Sequence, residues 1–250
     1  MRRQPFRDPS GVAKYRHEVL AVVLRVRTGA GPRLQVLAWR RHHEPFASRW
    51  ALPSGPVEVD EPMDAAMDRH LADKLDLTVV RHTEQLASFS APLRDPAERT
   101  IATAYLGLVA EQARVSGEDI GWFDTDALPP MAFDHAEVVG LAVERLQGKI
   151  SYSNIAFALA PDEFTLAALR EVYVGVLRHD VDVTNLGRVL TRRGQIERTG
   201  RVLASGEKGG RPARTYRFVE HQLCITDPFA VLRAGAPEPA SVPGGRSTAT

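Results

Sequence analysis

Apolar residues recur along the chain at spacings that define a series of short elements. From His17 the sequence reads HEVLAVVLRV, and after Thr28-Gly29-Ala30-Gly31-Pro32 it reads LQVLAWR. That is a strand, a Gly/Pro turn and a second strand, enriched in β-branched and aliphatic residues. Met63, Ala66, Met67, Leu71 and Leu75 fall at helical spacing behind Pro62, a residue suited to a first turn, so a helix is expected over 61–75. Further strands are expected over 83–90, 100–109 and 119–123. Leu128-Pro129-Pro130 interrupts the pattern, and an amphipathic helix over 134–148 begins at an Asp134 cap. Strands, helix, strands, helix: the pattern predicts a mixed α/β sandwich.

The character changes after Lys149. Residues 150–164 read as transitional. Then 165–179 (TLAALREVYVGVLRH) predicts a helix capped by Thr165, and a short turn leads to a second helix over 183–193, ended by Gly194. Two strands, 195–202 and 214–219, flank the Gly-rich loop ASGEKGGRPA. Two helices at a tight turn followed by a β-hairpin match a winged helix-turn-helix. The expected organisation is a loose arm over 1–16, a sandwich over 17–149, a winged helix over 150–225 and a disordered Pro/Gly/Ser/Ala-rich tail over 226–250.

Composition narrows the function classes. With 250 residues and 44% hydrophobic content the chain can build real cores. A single cysteine, Cys224, excludes an intrachain disulfide framework and fits a reducing cytoplasm. No metal-binding Cys/His spacing, membrane span or signal peptide is legible, so no export is expected.

The net charge of +1 conceals an asymmetry. Between Asn185 and Arg217 nine basic residues face only Glu197 and Glu207. On the second helix of this stretch Val183, Leu186, Val189 and Leu190 form the inward stripe. Thr184, Asn185, Arg188, Thr191 and Arg192 take the outer face. These residue types hydrogen-bond base edges and phosphates, and Lys208, Arg211 and Arg214 belong to a hairpin suited to a phosphate backbone. A solvated basic face is the plain alternative; spacing, charge and hairpin together favour double-stranded DNA.

Residues 55–77 (GPVEVDEPMDAAMDRHLADKLDL) resemble the Nudix box, G-x5-E-x7-R-E-U-x-E-E-x-G-U, where U is aliphatic. Gly55, Glu61, Arg69, Leu71 and Leu77 occupy matching positions. The three glutamates after the arginine are replaced by His70, Asp73 and Lys74. Spaced i, i+3 and i+4, those positions share one helix face. Three carboxylates there would hold Mg2+ against a pyrophosphate; one short carboxylate, an imidazole and an ammonium would not. An ammonium can still attract a phosphate as a point charge. No metal is therefore expected to be required, Asp73 and Glu58 leaving room only for weak Mg2+ binding.

Together with Trp50-Ala51-Leu52-Pro53, Ala132-Phe133-Asp134-His135, Glu163-Phe164-Thr165-Leu166 and above all 210–218 (GRPARTYRF), this box resembles the Nudix-related transcriptional regulators of NAD metabolism over roughly residues 17–220. The resemblance implies an α/β Nudix-like α/β/α sandwich followed by a winged helix-turn-helix. It further implies a cytoplasmic, homodimeric repressor that binds a palindromic operator and senses ADP-ribose or a related NAD-derived nucleotide. Arg49, Arg69, Lys74 and Phe133 are the ligand-binding candidates. Thr184, Asn185, Arg188, Arg192, Lys208, Arg211 and Arg214 are the DNA-binding ones. No residue is assigned a catalytic role.

The alternative is an active Nudix pyrophosphatase, which needs Glu58, Glu61 and Asp73, with Asp76 as an additional candidate, to gather a Mg2+ ion; a nucleotide-binding adaptor is the third reading. Glu61 and Arg69 read first as an internal ion pair, Arg49 as phosphate contact or plain surface charge, and Trp50 as core. Phe46 and Tyr105 join Phe133 as possible adenine platforms. His135 and the His42-His43 pair carry little catalytic weight, and Lys149 reads as a surface residue.

Overall fold

The computed structural model describes residues 7–29, 31–75, 77, 79–203 and 212–227. A mixed sheet forms its centre. It comprises β1 (Arg16–Arg27), β2 (Arg33–Arg40), β3 (Trp50–Ala51), β4 (Ser54–Pro56), then, beyond helix α1 (Met63–Leu75), β5 (His82–Phe89), β6 (Thr100–Leu108) and β7 (Ile120–Asp124). The main order is β3-β2-β1-β6-β5, with β4 also pairing β1 and β7 also pairing β2. β1 runs parallel to β6 and antiparallel to its other partners.

The alternation along β1 builds both faces of the sandwich. Leu20, Val22, Leu24 and Val26 enter one core with helix α2 (His135–Ile150). Val19, Ala21 and Val23 enter the other, with Ala66, Met67 and Leu71 of α1. A period of two sends successive side chains to opposite faces, so a continuous apolar run marks a strand covered on both.

The second unit contains β8 (Phe164–Thr165), α3 (Leu166–Leu177), α4 (Val183–Arg192), β9 (Ile196–Leu203) and β10 (Ala213–Phe218), its strands ordered β8-β10-β9. Thr165 caps α3 by accepting from the Ala168 amide at 3.1 Å, and Asp182 caps α4 from the Asn185 amide at 2.6 Å. The architecture is thus the expected α/β/α sandwich followed by a winged helix.

The link between the two differs from the sequence expectation. Residues 150–164, read as transitional, include a short 3-10 turn, Ile155–Ala158, and Ile155 through Ala160 are all buried. They lie in one apolar cluster with Leu146 of α2, Leu169 of α3 and Leu190 of α4. Their alanine-rich, aperiodic sequence carries no helical or strand signature, which is why it reads as transitional. Helix α3 also crosses the sheet closely: a Cβ on Gly175 would come within 2.6 Å of Val26 Cγ1.

Two other expectations change. Part of the N-terminal arm is folded on itself, where the Asp8 carboxylate accepts from the Ser10 and Val12 amides and pairs with Lys14. Thr226 and Asp227, assigned to the tail, both donate their amides to the Tyr152 carbonyl; residues 228–250 lie outside the described residues.

Lys149 is not a free surface residue. It pairs with Glu84, which also meets His82 at 3.2 Å and Arg145 at 3.3 Å. Burial alone would raise the Glu84 carboxyl, but hydrogen bonds from His82 and Lys149 overcome it and hold the group at about 2. The cluster ties the end of α2 to β5.

Candidate functional site

A cleft of about 330 Å³ opens at one end of the sheet. Arg16 and Glu18 from the start of β1, Trp39 from the end of β2, Arg41 just beyond it, Gly55 from β4 and Phe133 from the loop before α2 line it, with Glu44, Asp95 and Glu98. Glu18 and Glu98 both pair with Arg16, at 2.6 and 3.3 Å, and Asp95 accepts from the Ala97 amide. Arg41 is held differently. Among the described residues its side-chain donors meet the Pro45 and His43 carbonyls, at 3.0 and 3.5 Å, and its guanidinium lies 4.8 Å from the centre of the Phe133 ring. Among the described residues no carboxylate forms an ion pair with it.

Phe133 is set by a left-handed backbone, φ 52°, and by the edge of Phe46 at 4.9 Å. The cleft therefore presents an aromatic surface beside an arginine that can bind a phosphate in bidentate fashion. Sequence reading found Phe133 and Phe46 but missed Arg41, which stands among Arg40, His42 and His43 with no motif around it.

The altered box is tightly built. His70 is buried, and its Nε2 donates to the Pro56 carbonyl at 2.9 Å. Its ring rests directly on Gly55, where an added Cβ would meet ring atoms at 2.1 Å. Only glycine permits that approach. Arg69 grips Glu61 through Nε and Nη2, at 3.0 and 2.5 Å, and donates to the Pro56 carbonyl at 3.2 Å. Glu61 also accepts from the Glu58 amide, and the bond from Arg69 holds its carboxyl at about 2.

His70 is engaged with a carbonyl, Glu61 with Arg69, and Asp73 and Glu58 are exposed. Among the described residues no group of three or more His, Cys, Asp or Glu is placed to hold a metal. The Lys74 side chain and Asp76 lie outside the described residues.

Arg49 is exposed and does not line the cleft. Trp50 packs edge-on against Phe123 at 4.4 Å, and Tyr105 lies in the α1-side core, where burial raises its hydroxyl. His135 is fully enclosed, and its Nδ1 accepts from the Leu52 amide at 3.0 Å. Burial pushes it down to about 3, so it is a neutral structural acceptor. His42 meets Asp119 at 3.1 Å at the surface.

His135 gives the fold a sign-defined acid sensitivity. Its folded value lies below the ordinary one, so the unfolded chain binds the extra proton between about 6.5 and 3. Stability is present above that window and is lost as pH falls through it; Glu84 adds a similar loss below about 4.5. Thermal unfolding at pH 5 is expected roughly 5 °C below that at pH 7.5, and His135→Asn should reduce the difference. Equal melting temperatures at both pH values would contradict this assignment.

At the other unit, α4 buries Leu186, Gly187 and Leu190 and exposes Thr184, Asn185, Arg188, Thr191 and Arg192. Arg188 Nη2 donates to Asn185 Oδ1 at 2.7 Å, which orders the two side chains together. A Cβ on Gly187 would come within 2.6 Å of Leu166 Cδ1, so glycine allows α3 and α4 to cross. Arg214 is exposed on β10, whereas Lys208 and Arg211 lie outside the described residues. The basic stretch is less uniform than its count implied: Arg193, Arg201 and Arg217 each meet a carboxylate, on Asp227, Glu163 and Glu197.

A Nudix-type sandwich sharing one core with a winged helix defines a class of metabolite-linked DNA-binding regulators. Family models agree: the NUDIX domain matches residues 14–141, and the NrtR DNA-binding winged helix domain matches residues 156–218. An ADPR responsive transcriptional repressor of Acinetobacter baylyi is 32% identical over 74% of this chain and 76% of its own length. The chain belongs to the NrtR family of Nudix-related transcriptional regulators.

A crystal structure of Shewanella oneidensis NrtR complexed with a 27mer DNA superimposes with a TM-score of 0.69 at 29% identity, covering 80% of this chain and 92% of that one. An ADP-ribose pyrophosphatase of Methanocaldococcus jannaschii is 30% identical over 42% of this chain and 63% of its own length.

Proposed function

We propose that the protein is an ADP-ribose-responsive repressor of NAD metabolism genes whose cleft binds its effector without cleaving it. The observation that carries this reading is the pairing of an altered box with a usable cleft. His70 is packed onto Gly55 and engaged with Pro56 where the box has a carboxylate, while Arg41 stands over Phe133 with no acidic partner among the described residues.

In this reading Arg41 takes the pyrophosphate and Phe133 the adenine, with Glu44 and Asp95 accepting from ribose hydroxyls. Of the candidates named from sequence, Phe133 stays in the ligand site and Lys74 remains a candidate phosphate contact. Arg69 serves the loop by holding Glu61, and Arg49 serves the surface. Thr184, Asn185, Arg188, Arg192 and Arg214, with Lys208 and Arg211 of the wing loop, contact DNA as a homodimer on a pseudo-palindrome. The effector unit runs to the end of α2 and the DNA-binding unit follows the buried 3-10 segment. Among the described residues no helix is long and apolar enough to cross a membrane, and a cytoplasmic location accords with DNA binding.

The similarity to an ADP-ribose pyrophosphatase keeps hydrolysis as the second reading. That activity would require Glu61 to leave Arg69. Incubation of the protein with ADP-ribose and Mg2+ or Mn2+ is expected to leave the nucleotide intact. Turnover near 1 per second, within the usual enzyme range, would establish the hydrolase instead.

A further inference from the structure

After β10 the chain turns back across the junction between the two units. The Asn154 side chain donates to the Glu220 and Gln222 carbonyls, at 3.2 and 2.9 Å, and accepts from the Cys224 amide at 2.7 Å. Its own amide donates to the Cys224 carbonyl at 3.1 Å. Ser153 and Ile225 form an antiparallel bridge, and the Thr226 amide reaches the Tyr152 carbonyl at 2.8 Å. The same segment holds the end of α4. Arg193, the residue after that helix, donates to the Ser151 carbonyl at 2.9 Å and pairs with Asp227, while Gln195 donates to Thr226 Oγ1.

We propose that residues 219–227 form a clamp that fixes the direction of the recognition helix α4 relative to the sandwich, with Asn154, Arg193 and Asp227 as positioning residues for DNA reading. This rests on the regulator reading above. Arg193 belongs to the most basic stretch of the chain, yet its guanidinium is spent inward, on the carbonyl that follows α2 and on the clamp's own carboxylate. The opposite end of α4 is held separately, where Arg170 donates to the Val181 carbonyl at 2.7 Å and pairs with Asp180. That end is tied to α3, which itself crosses the sheet closely at Gly175, and the other end is tied to the segment that follows α2, so α4 is held in direction from both sides. Two such helices on one duplex must meet half-sites at a fixed spacing, so an error of angle in either protomer costs the second contact rather than the first.

The test uses full-length Asp227→Ala and Asn154→Ala, with Asp227→Glu as the conservative variant. The probes are a duplex selected from random sequence by the wild-type chain and the same duplex with one half-site scrambled. The alanine variants are expected to lose about tenfold or more on the two-half-site duplex, as expected when linked binding events lose alignment. On the scrambled duplex they should match the wild type, and Asp227→Glu should recover most of the affinity. Equal losses on both duplexes would mean that the winged helix has come apart, and no loss on either would mean that the clamp is idle; both overturn the proposal. If the wild type itself gains nothing from the second half-site, the dimeric regulator reading fails and the clamp falls with it.

Discussion

Arg188→Ala is expected to weaken operator binding by about 1–3 kcal/mol, up to roughly a hundredfold, and to relax specificity at one base position. Arg188 lies on the exposed face of α4, ordered by its 2.7 Å bond to Asn185, in a helix whose opposite face is committed to the core. A guanidinium in that place can engage both acceptors on a guanine edge. A phosphate contact would behave otherwise: affinity would drop alike for all sequences and the salt slope would fall by about 1. Measuring affinity against a panel of single-base operator variants separates the two. A uniform drop across the panel would move Arg188 from the base edges to the backbone.

The second large effect concerns where the chain can be cut. A chain ending at Ala160 is expected to keep a folded sandwich, whereas one ending at Lys149 should melt roughly 10–20 °C lower. The eleven residues between include Ile155, Phe157 and Leu159, all buried in the core that α2 shares with the sheet. Burial of each such side chain is worth about 1.5–3 kcal/mol, a large fraction of the roughly 5–15 kcal/mol that keeps a domain folded. Thermal unfolding of the two truncated chains decides the point. Equal melting temperatures would show that the 3-10 segment belongs to the winged helix alone.

The strands, both helix pairs and the outer face of α4 were legible because apolar periodicity reports which side chains meet the core. The Glu61–Arg69 pair was legible through the resemblance to the Nudix box, which implies an internal ion pair at those two positions. The buried 150–164 segment was not, since alanine-rich stretches such as 156–160 bury through close packing and without a regular period. Arg41 was hidden too. Its place beside Phe133 depends on a loop fold in which Phe46 and Ser48 adopt positive φ, at 67° and 66°, and no residue pattern announces that. Conversely, Arg193, Arg201 and Arg217 count as cations of the basic stretch in the sequence, and only the fold shows their carboxylate partners.

The shared core also bears on regulation. Strand β2 ends beside the cleft at Trp39 and pairs along its length with β7. Thr125, immediately after β7, accepts from Arg178 Nη2 at 2.9 Å. Arg178 caps α3 in a left-handed conformation at the turn that leads to α4. A ligand that shifts the cleft end of this sheet therefore acts on elements in direct contact with the helix-turn-helix.

The most direct test of the central claim is the affinity of the intact protein for its operator, measured with and without saturating ADP-ribose while the nucleotide is followed in the same samples. The proposed function predicts a change in affinity of about 5–150-fold, the usual range of allosteric coupling, with the ADP-ribose recovered intact. Unchanged operator affinity, or ADP-ribose consumed in step with any change, would contradict it.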